Sequence, residues 1–158
     1  MARLILGETT RTIDQRYRLS IAAEMAEPLM AEGVDCILAK ERPGCLSLWN
    51  VSNWQSRLDD GVRLVETKIE AGRLAGRLEE VQRLGRLLST RHRQVQLAGR
   101  SRLVVPEGFR EFLGVEPGGI VMVVGAAVCV ELWHPDRWSQ YIGEQMPDFR
   151  HLLEELSS

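Results

Sequence analysis

Two ten-residue stretches decide how this chain is read: Ile13-Asp14-Gln15-Arg16-Tyr17-Arg18-Leu19-Ser20-Ile21-Ala22 and Leu97-Ala98-Gly99-Arg100-Ser101-Arg102-Leu103-Val104-Val105-Pro106. They align without a gap at an offset of 84 residues. The same offset relates Leu29 to Leu113, Cys45 to Cys129, Leu48 to Leu132, Trp49 to Trp133 and Trp54 to Trp138. The chain has four Trp, and all four fall into matched pairs. A duplicated unit accounts for that; chance does not.

Each copy has the same grammar. A strand of alternating residues leads into a basic turn, then into a second short strand at 19–21 or 103–105. A short amphipathic helix follows, at 23–30 in the first copy. In the second it opens at Pro106, a residue suited to a first helical turn, and runs to 113. Gly33 and Pro117-Gly118-Gly119 mark turns. A hairpin comes next, 36–39 with 46–49 around Arg42-Pro43-Gly44, and 120–124 with 128–133 across Gly125. Asn50, Ser52 and Asp136 have the side chains of helix N-caps, so Trp54 and Trp138 are expected to fold back onto the strands of Trp49 and Trp133 as core. Residues 63–93 carry Leu64, Ile69, Leu74, Leu78, Val81, Leu84 and Leu88 at helical spacing, with Gly72, Gly76 and Gly85 able to split the segment into two helices. The expected class is α+β, mainly β. The expected divisions are a first unit at 1–60, a helical linker at 61–93, a second unit at 94–145 and a helical tail at 146–158.

The 158 residues carry 20 Lys+Arg against 22 Asp+Glu, a formal charge of −2, which excludes a diffuse polycation that coats DNA. The charge is uneven: ten bases and five acids lie between Asp60 and Arg102, making that section +5 and the remainder −7. One basic face suits a polyanion; the alternative is that the linker arginines line a solvated helix side. Cys36, Cys45 and Cys129 are odd in number and lack CxxC spacing, so neither a disulfide framework nor a structural zinc site is expected. No stretch reaches the ~20 apolar residues of a membrane span. The start Met1 to Gly7 meets Glu8 too early for a signal peptide, and a cytoplasmic location is expected.

The repeated turns resemble those of the MraZ family, bacterial transcriptional regulators built from SpoVT/AbrB-like units. The family signature is Asp-x-x-Gly-Arg, then a short apolar strand and usually Pro, once per unit. The first copy keeps Asp14 and Arg18 but has Tyr17 for Gly and Ala22 for Pro; the second keeps Arg102 and Pro106 but has Ala98 for Asp and Ser101 for Gly. The Leu-Trp strand ends and Trp-bearing helices are also similar to MraZ. The resemblance implies two tandem swapped-hairpin, double-psi-barrel-like units that interlock in a small barrel. It also implies a ring-shaped homo-oligomer, octamer to dodecamer, on double-stranded promoter DNA. The regulator, a repressor, would read repeated boxes upstream of the division and cell-wall gene cluster and associate with the nucleoid.

The chemistry of the turns agrees with that expectation. Arg16, Arg18, Arg100 and Arg102 project from short loops on rigid strands, and guanidinium matches both phosphate and the O6/N7 edge of guanine. Asp14 is placed to orient Arg18 by a bidentate pair; Ala98 has no such means of holding Arg102, which points to phosphate contacts from the second copy. Tyr17 and Ser101 occupy positions expected to need a positive φ, which costs a non-glycine residue roughly 1 kcal/mol. Multivalency in a ring offsets the small number of arginines per chain.

Two other readings use the same residues. One is a diverged ring that has lost promoter specificity and acts as a protein-interaction module. The other is an antitoxin-like AbrB-type protein whose tail, with Asp148, Phe149, Leu152, Leu153, Glu154, Glu155 and Leu156, holds a partner. An enzyme is the least expected class. His92, His134 and His151 are scattered, and no phosphate loop, GxSxG or HExxH motif is present. No catalytic residue, cofactor, metal or small-molecule substrate is expected, and His134 is read as a helix cap.

Overall fold

The computed structural model describes residues 4–158. Met1 to Arg3, part of the expected unit 1–60 and of the apolar start read above, lie outside the described residues.

Both copies fold to the same element order. The first comprises β1 (Glu8–Thr12), β2 (Arg18–Ser20), α1 (Ala23–Leu29), β3 (Asp35–Arg42), β4 (Cys45–Asn50) and α2 (Val51–Glu70). After α3 (Leu78–Thr90), the second comprises β5 (His92–Gln96), β6 (Arg102–Val104), α4 (Arg110–Leu113), β7 (Ile120–Gly125), β8 (Val130–Trp133) and α5 (Pro135–Gln145). A 3-10 turn at Met146–Asp148 leads to α6 (Phe149–Ser157). Residues 107–109 form a turn ahead of the short α4, so the helix expected to open at Pro106 starts only at Arg110. α2 is one helix across position 60, and β5 already begins at His92, before the expected end of the linker.

The copies interlock. Six antiparallel strands run in the order β1-β7-β8-β4-β3-β5, so each copy's first strand pairs with the other copy's hairpin. β4 and β8 meet at the centre, with Cys45 opposite Trp133 and Ser47 opposite Glu131. β2 and β6 leave the sheet and pair only with each other. The expected barrel therefore does not close among the described residues: β1 and β5 remain edges, because the two three-residue strands turn away to form a separate ribbon.

The offset of 84 holds for β1/β5, β2/β6 and β4/β8 but becomes 85 inside the hairpins. β1 sets Glu8 against Val124, whereas β5 sets His92 against Ala39. The connection from α1 to β3 is one residue shorter than that from α4 to β7. A β-bulge at Glu41, where pairing steps from Lys40–Leu46 to Arg42–Cys45, takes up the difference. The slip keeps inward residues inward: Cys36 matches Val121 and Leu38 matches Val123, all four fully buried.

One sheet face, with Leu38, Leu46, Leu48, Val121, Val123 and Leu132, packs under α1, α4 and the ribbon. Each fully buried leucine there contributes about 1.5–3 kcal/mol. On the other face Ile37 and Ala39 pack against Trp54 of α2, and Cys45, Val124 and Trp133 lie under α5. The Trp pairs do fold back: ring centroids are 5.7 Å apart for Trp49–Trp54 and 5.3 Å for Trp133–Trp138. Trp54 and Trp133 are buried, while Trp49 and Trp138 are half-buried. α2 is capped by Asn50, whose Oδ1 accepts from the Asn53 amide at 3.2 Å. At α5 the cap is His134, whose Nδ1 accepts from the Asp136 amide at 3.1 Å; Asp136 itself sits in the first turn.

The linker splits at 71–77, around Gly72 (φ +73) and Gly76. Its inward stripe is Leu58, Val62 and Val65 of α2 against Val81, Leu84 and Leu88 of α3, whereas Leu64, Ile69 and Leu78 face solvent. The stripe expected from spacing treats the segment as one helix; the break resets the helical phase.

Candidate nucleic-acid interface

The candidate interface is the β2–β6 ribbon. Leu19 and Leu103 face each other and are buried in the main core. Strand alternation therefore sends Arg18, Ser20, Arg102 and Val104 to the opposite, outer side. Arg18 pairs with Val104 and Ser20 with Arg102, so the two arginines stand diagonally across the ribbon, at the roughly 7–8 Å spacing of diagonal neighbours. The turn bearing Arg16 enters at one end and the turn bearing Arg100 at the other. Arg16, Arg100 and Arg102 are exposed and Arg18 is half-buried.

The first turn is organised by Asp14. Its Oδ1 accepts from the backbone amides of Arg16 and Arg18, both at 2.9 Å, and its Oδ2 accepts from Arg18 Nε at 2.8 Å. The pairing is thus a single side-chain bond with two backbone bonds, not the bidentate clamp expected. This leaves both Nη groups of Arg18 without a hydrogen-bond partner among the described residues. The Arg18 amide above all, joined by the Arg18 guanidinium and the Arg16 amide, holds the Asp14 carboxyl below the usual carboxylate range although desolvation pushes it up. Asp14 is ionised at neutral pH and orients the base of Arg18.

The second turn solves the same problem with backbone alone. Ala98 has no acceptor side chain, and the Arg102 amide donates instead to the Ala98 carbonyl at 3.2 Å. Here Arg100 and Ser101 both take left-handed φ, +64° and +56°, whereas in the first turn only Tyr17 does, at +59°. The position expected to want glycine is left-handed in both copies and tolerated by the residues present. Tyr17 gains a partner, the Arg110 guanidinium lying 4.3 Å from its ring centroid. The two strained carbonyls are tied across the ribbon symmetrically: Val105 N donates to Tyr17 O at 2.8 Å, and Ile21 N to Ser101 O at 2.9 Å.

The structure therefore brings Asp14 and Arg18 together and sets Arg102 on the same outer face, while Arg16 and Arg100 mark its two ends. It adds residues that motif reading passes over. Arg11 Nε donates to Ser20 O at 3.2 Å, bringing a further cation to the ribbon margin. Ser20 and Val104 complete the outer face, a placement that alternation around Leu19 and Leu103 already signals. The linker arginines behave differently: Arg77 pairs with Glu80, Arg86 with Glu79 at 3.6 Å and Arg91 with Glu41 at 3.2 Å. These three are engaged in surface ion pairs, which water and salt screen.

Among the described residues no group of three or more His, Cys, Asp or Glu is arranged to hold a metal. Cys36, Cys45 and Cys129 are free and buried, and burial raises all three thiols, Cys36 to about 11 and Cys129 to about 12. No helix of the described chain is long and apolar enough to cross a membrane.

A profile of the family described as "MraZ protein, putative antitoxin-like" matches residues 89–157. Curated relatives align over nearly the whole chain. A protein of Syntrophomonas wolfei named Transcriptional regulator MraZ is 24% identical over 153 residues, covering 97% of this chain and 96% of its own. Its namesake in Heliobacterium modesticaldum is 26% identical with the same coverage. That of Limosilactobacillus reuteri is 25% identical over 154 residues, covering 98% of both chains.

Proposed function

We propose that the chain is a member of the MraZ family, to which it is similar over nearly its whole length, and that it is a sequence-specific DNA-binding transcriptional regulator, a repressor acting without catalysis as a ring-shaped homo-oligomer on repeated promoter boxes of the division and cell-wall gene cluster. The observation that carries this reading is the outer face of the β2–β6 ribbon, with Arg18 and Arg102 on it and Arg16 and Arg100 at its ends. A two-stranded ribbon is narrow enough for the major groove. Arg18, oriented by Asp14, is the base-reading side chain; Arg102, held by backbone alone, together with Arg16 and Arg100 contacts phosphate. Such a protein works at the nucleoid.

Fluorescence anisotropy tests the proposal, using DNA from upstream of the chain's own gene against a scrambled control across a salt series. The expected result is specific, salt-steep binding. Arg18→Ala abolishes the preference, and Arg102→Ala weakens both DNAs alike and flattens the salt slope by about 1. Binding that is equal for both DNAs and indifferent to either substitution would favour the protein-interaction module instead.

A further inference from the structure

Every residue from Gly143 to Ser158 is exposed. Within this segment α6 carries Phe149, Leu152, Leu153 and Leu156, which are 59%, 51%, 55% and 78% exposed. Their spacing of i, i+3, i+4 and i+7 makes one apolar stripe, the pattern of a helix that fills a groove. α5, the 3-10 turn and α6 follow one another without an extended segment, and the stripe is left uncovered by its own chain.

The groove is present elsewhere in the fold. Between α2 and α3 lies a cleft of about 460 Å³ lined by Trp49, Trp54, Leu58, Val62, Leu84 and Leu88, with Arg57 and Arg91 on its rim. Arg57 lies over the Trp49 ring at 5.3 Å and has no carboxylate partner among the described residues. The tail brings the opposite charge, Asp148, Glu154 and Glu155 against Arg150. Apolar stripe meets apolar cleft, and acids meet arginines.

We infer that the apolar face of α6 seats in the α2–α3 cleft of a second copy of this chain; the inference rests on the ring reading above and names the contact that builds the ring. The cleft and the tail each occur once, because α3 follows only the first unit and α6 only the second. The contact is therefore heterologous, and head-to-tail repetition of it closes a ring when the rotation permits. The cleft lies on the α2 side of the sheet, opposite the face that packs under the β2–β6 ribbon, so a helix seated there leaves Arg18 and Arg102 uncovered.

Sedimentation velocity on the full chain tests this. The wild-type protein should run at a multiple of its 17.9 kDa chain mass. Leu153→Glu, at an exposed position, should reduce it to a single chain, and so should Leu84→Glu in the cleft. Arg57→Glu, on the exposed rim and outside the core, should shift dissociation to higher protein concentration. Mixing Leu153→Glu with Leu84→Glu should give a species of two chains that grows no further, since one intact tail then meets one intact cleft. An oligomer that withstands Leu153→Glu would overturn the inference and leave the ring reading standing. One that Leu84→Glu breaks but Leu153→Glu does not would place another segment in the cleft, which likewise overturns the inference and spares the ring. A wild-type chain that is monomeric throughout would overturn the ring itself.

Discussion

At the residue scale the two turns show how one geometry is reached by different chemistry. In the first, a carboxylate gathers two backbone amides and a guanidinium; in the second, a carbonyl replaces it and a further residue enters the left-handed region. Ser101 holds φ +56° with only a 3.9 Å contact from its hydroxyl to Met30 Sδ. Glycine would relieve the steric cost and give back part of it as unfolded-state entropy. Ser101→Gly should therefore stabilise the chain by roughly 0.5–1 kcal/mol, read from urea unfolding. An equal or lower midpoint would show that the left-handed turn is not strained. Tyr17 offers no such gain, because glycine there loses the Arg110 stack. The need for a positive φ was legible from the turn pattern; the Arg110 partner was not, since the two side chains lie far apart in the chain and share no motif.

At the element scale the sheet centre carries an imbalance. Ser47 and Glu131 face each other across β4 and β8 at positions matched by the repeat, and each accepts from the indole two residues on, Trp49 Nε1 at 2.8 Å and Trp133 Nε1 at 3.0 Å. Glu41, from the bulge, accepts from the Ser47 hydroxyl and from Arg91. Burial above all, with nearby Glu41, raises the Glu131 carboxyl above the usual glutamate range, while Trp133 and Arg42 pull it down. The folded state thus holds a proton that the unfolded state releases first, and stability falls as pH rises through that window. Glu131→Gln keeps an acceptor for Trp133 and removes the buried charge. It should raise the thermal midpoint at neutral pH, and the gain should vanish below the ordinary glutamate range. A neutral-pH midpoint at or below wild type would show that the carboxylate is stabilised by its arginine neighbours. The hairpins, their turn and the Trp contacts follow from apolar runs and the repeat. The one-residue slip does not, because the bulge at Glu41 hides it: both hairpins bury residues at the same period, and the offset of 84 resumes at β4.

At the scale of the molecule, the duplication makes a pseudo-twofold body whose two sides differ in chemistry. The side with α1, α4 and the ribbon presents arginines; the side with α2 and α3 presents an apolar cleft. The arginine-bearing turns are legible by motif and the tail by periodicity. The +5 centre reads in sequence as one basic face, whereas in space part of its charge is engaged in ion pairs along the linker, and Glu41, from outside the segment, pairs with Arg91. Charge counted along a chain does not say which carboxylates lie alongside in space, and Glu41, fifty residues from Arg91, is the clearest case.

Whether the ribbon touches DNA is open to one direct measurement. All three cysteines are buried, so Ser20→Cys, exposed on the outer face opposite Arg102, introduces the one accessible thiol for a photo-crosslinker. Gln55→Cys, exposed on α2 across the sheet, carries the same label as a control. Light should join the ribbon-labelled chain to promoter DNA at regularly spaced positions and leave the α2-labelled chain free. Crosslinks from the α2 label and none from the ribbon, in a chain that binds the same DNA, would place the DNA on the opposite side of the sheet and rule the ribbon out.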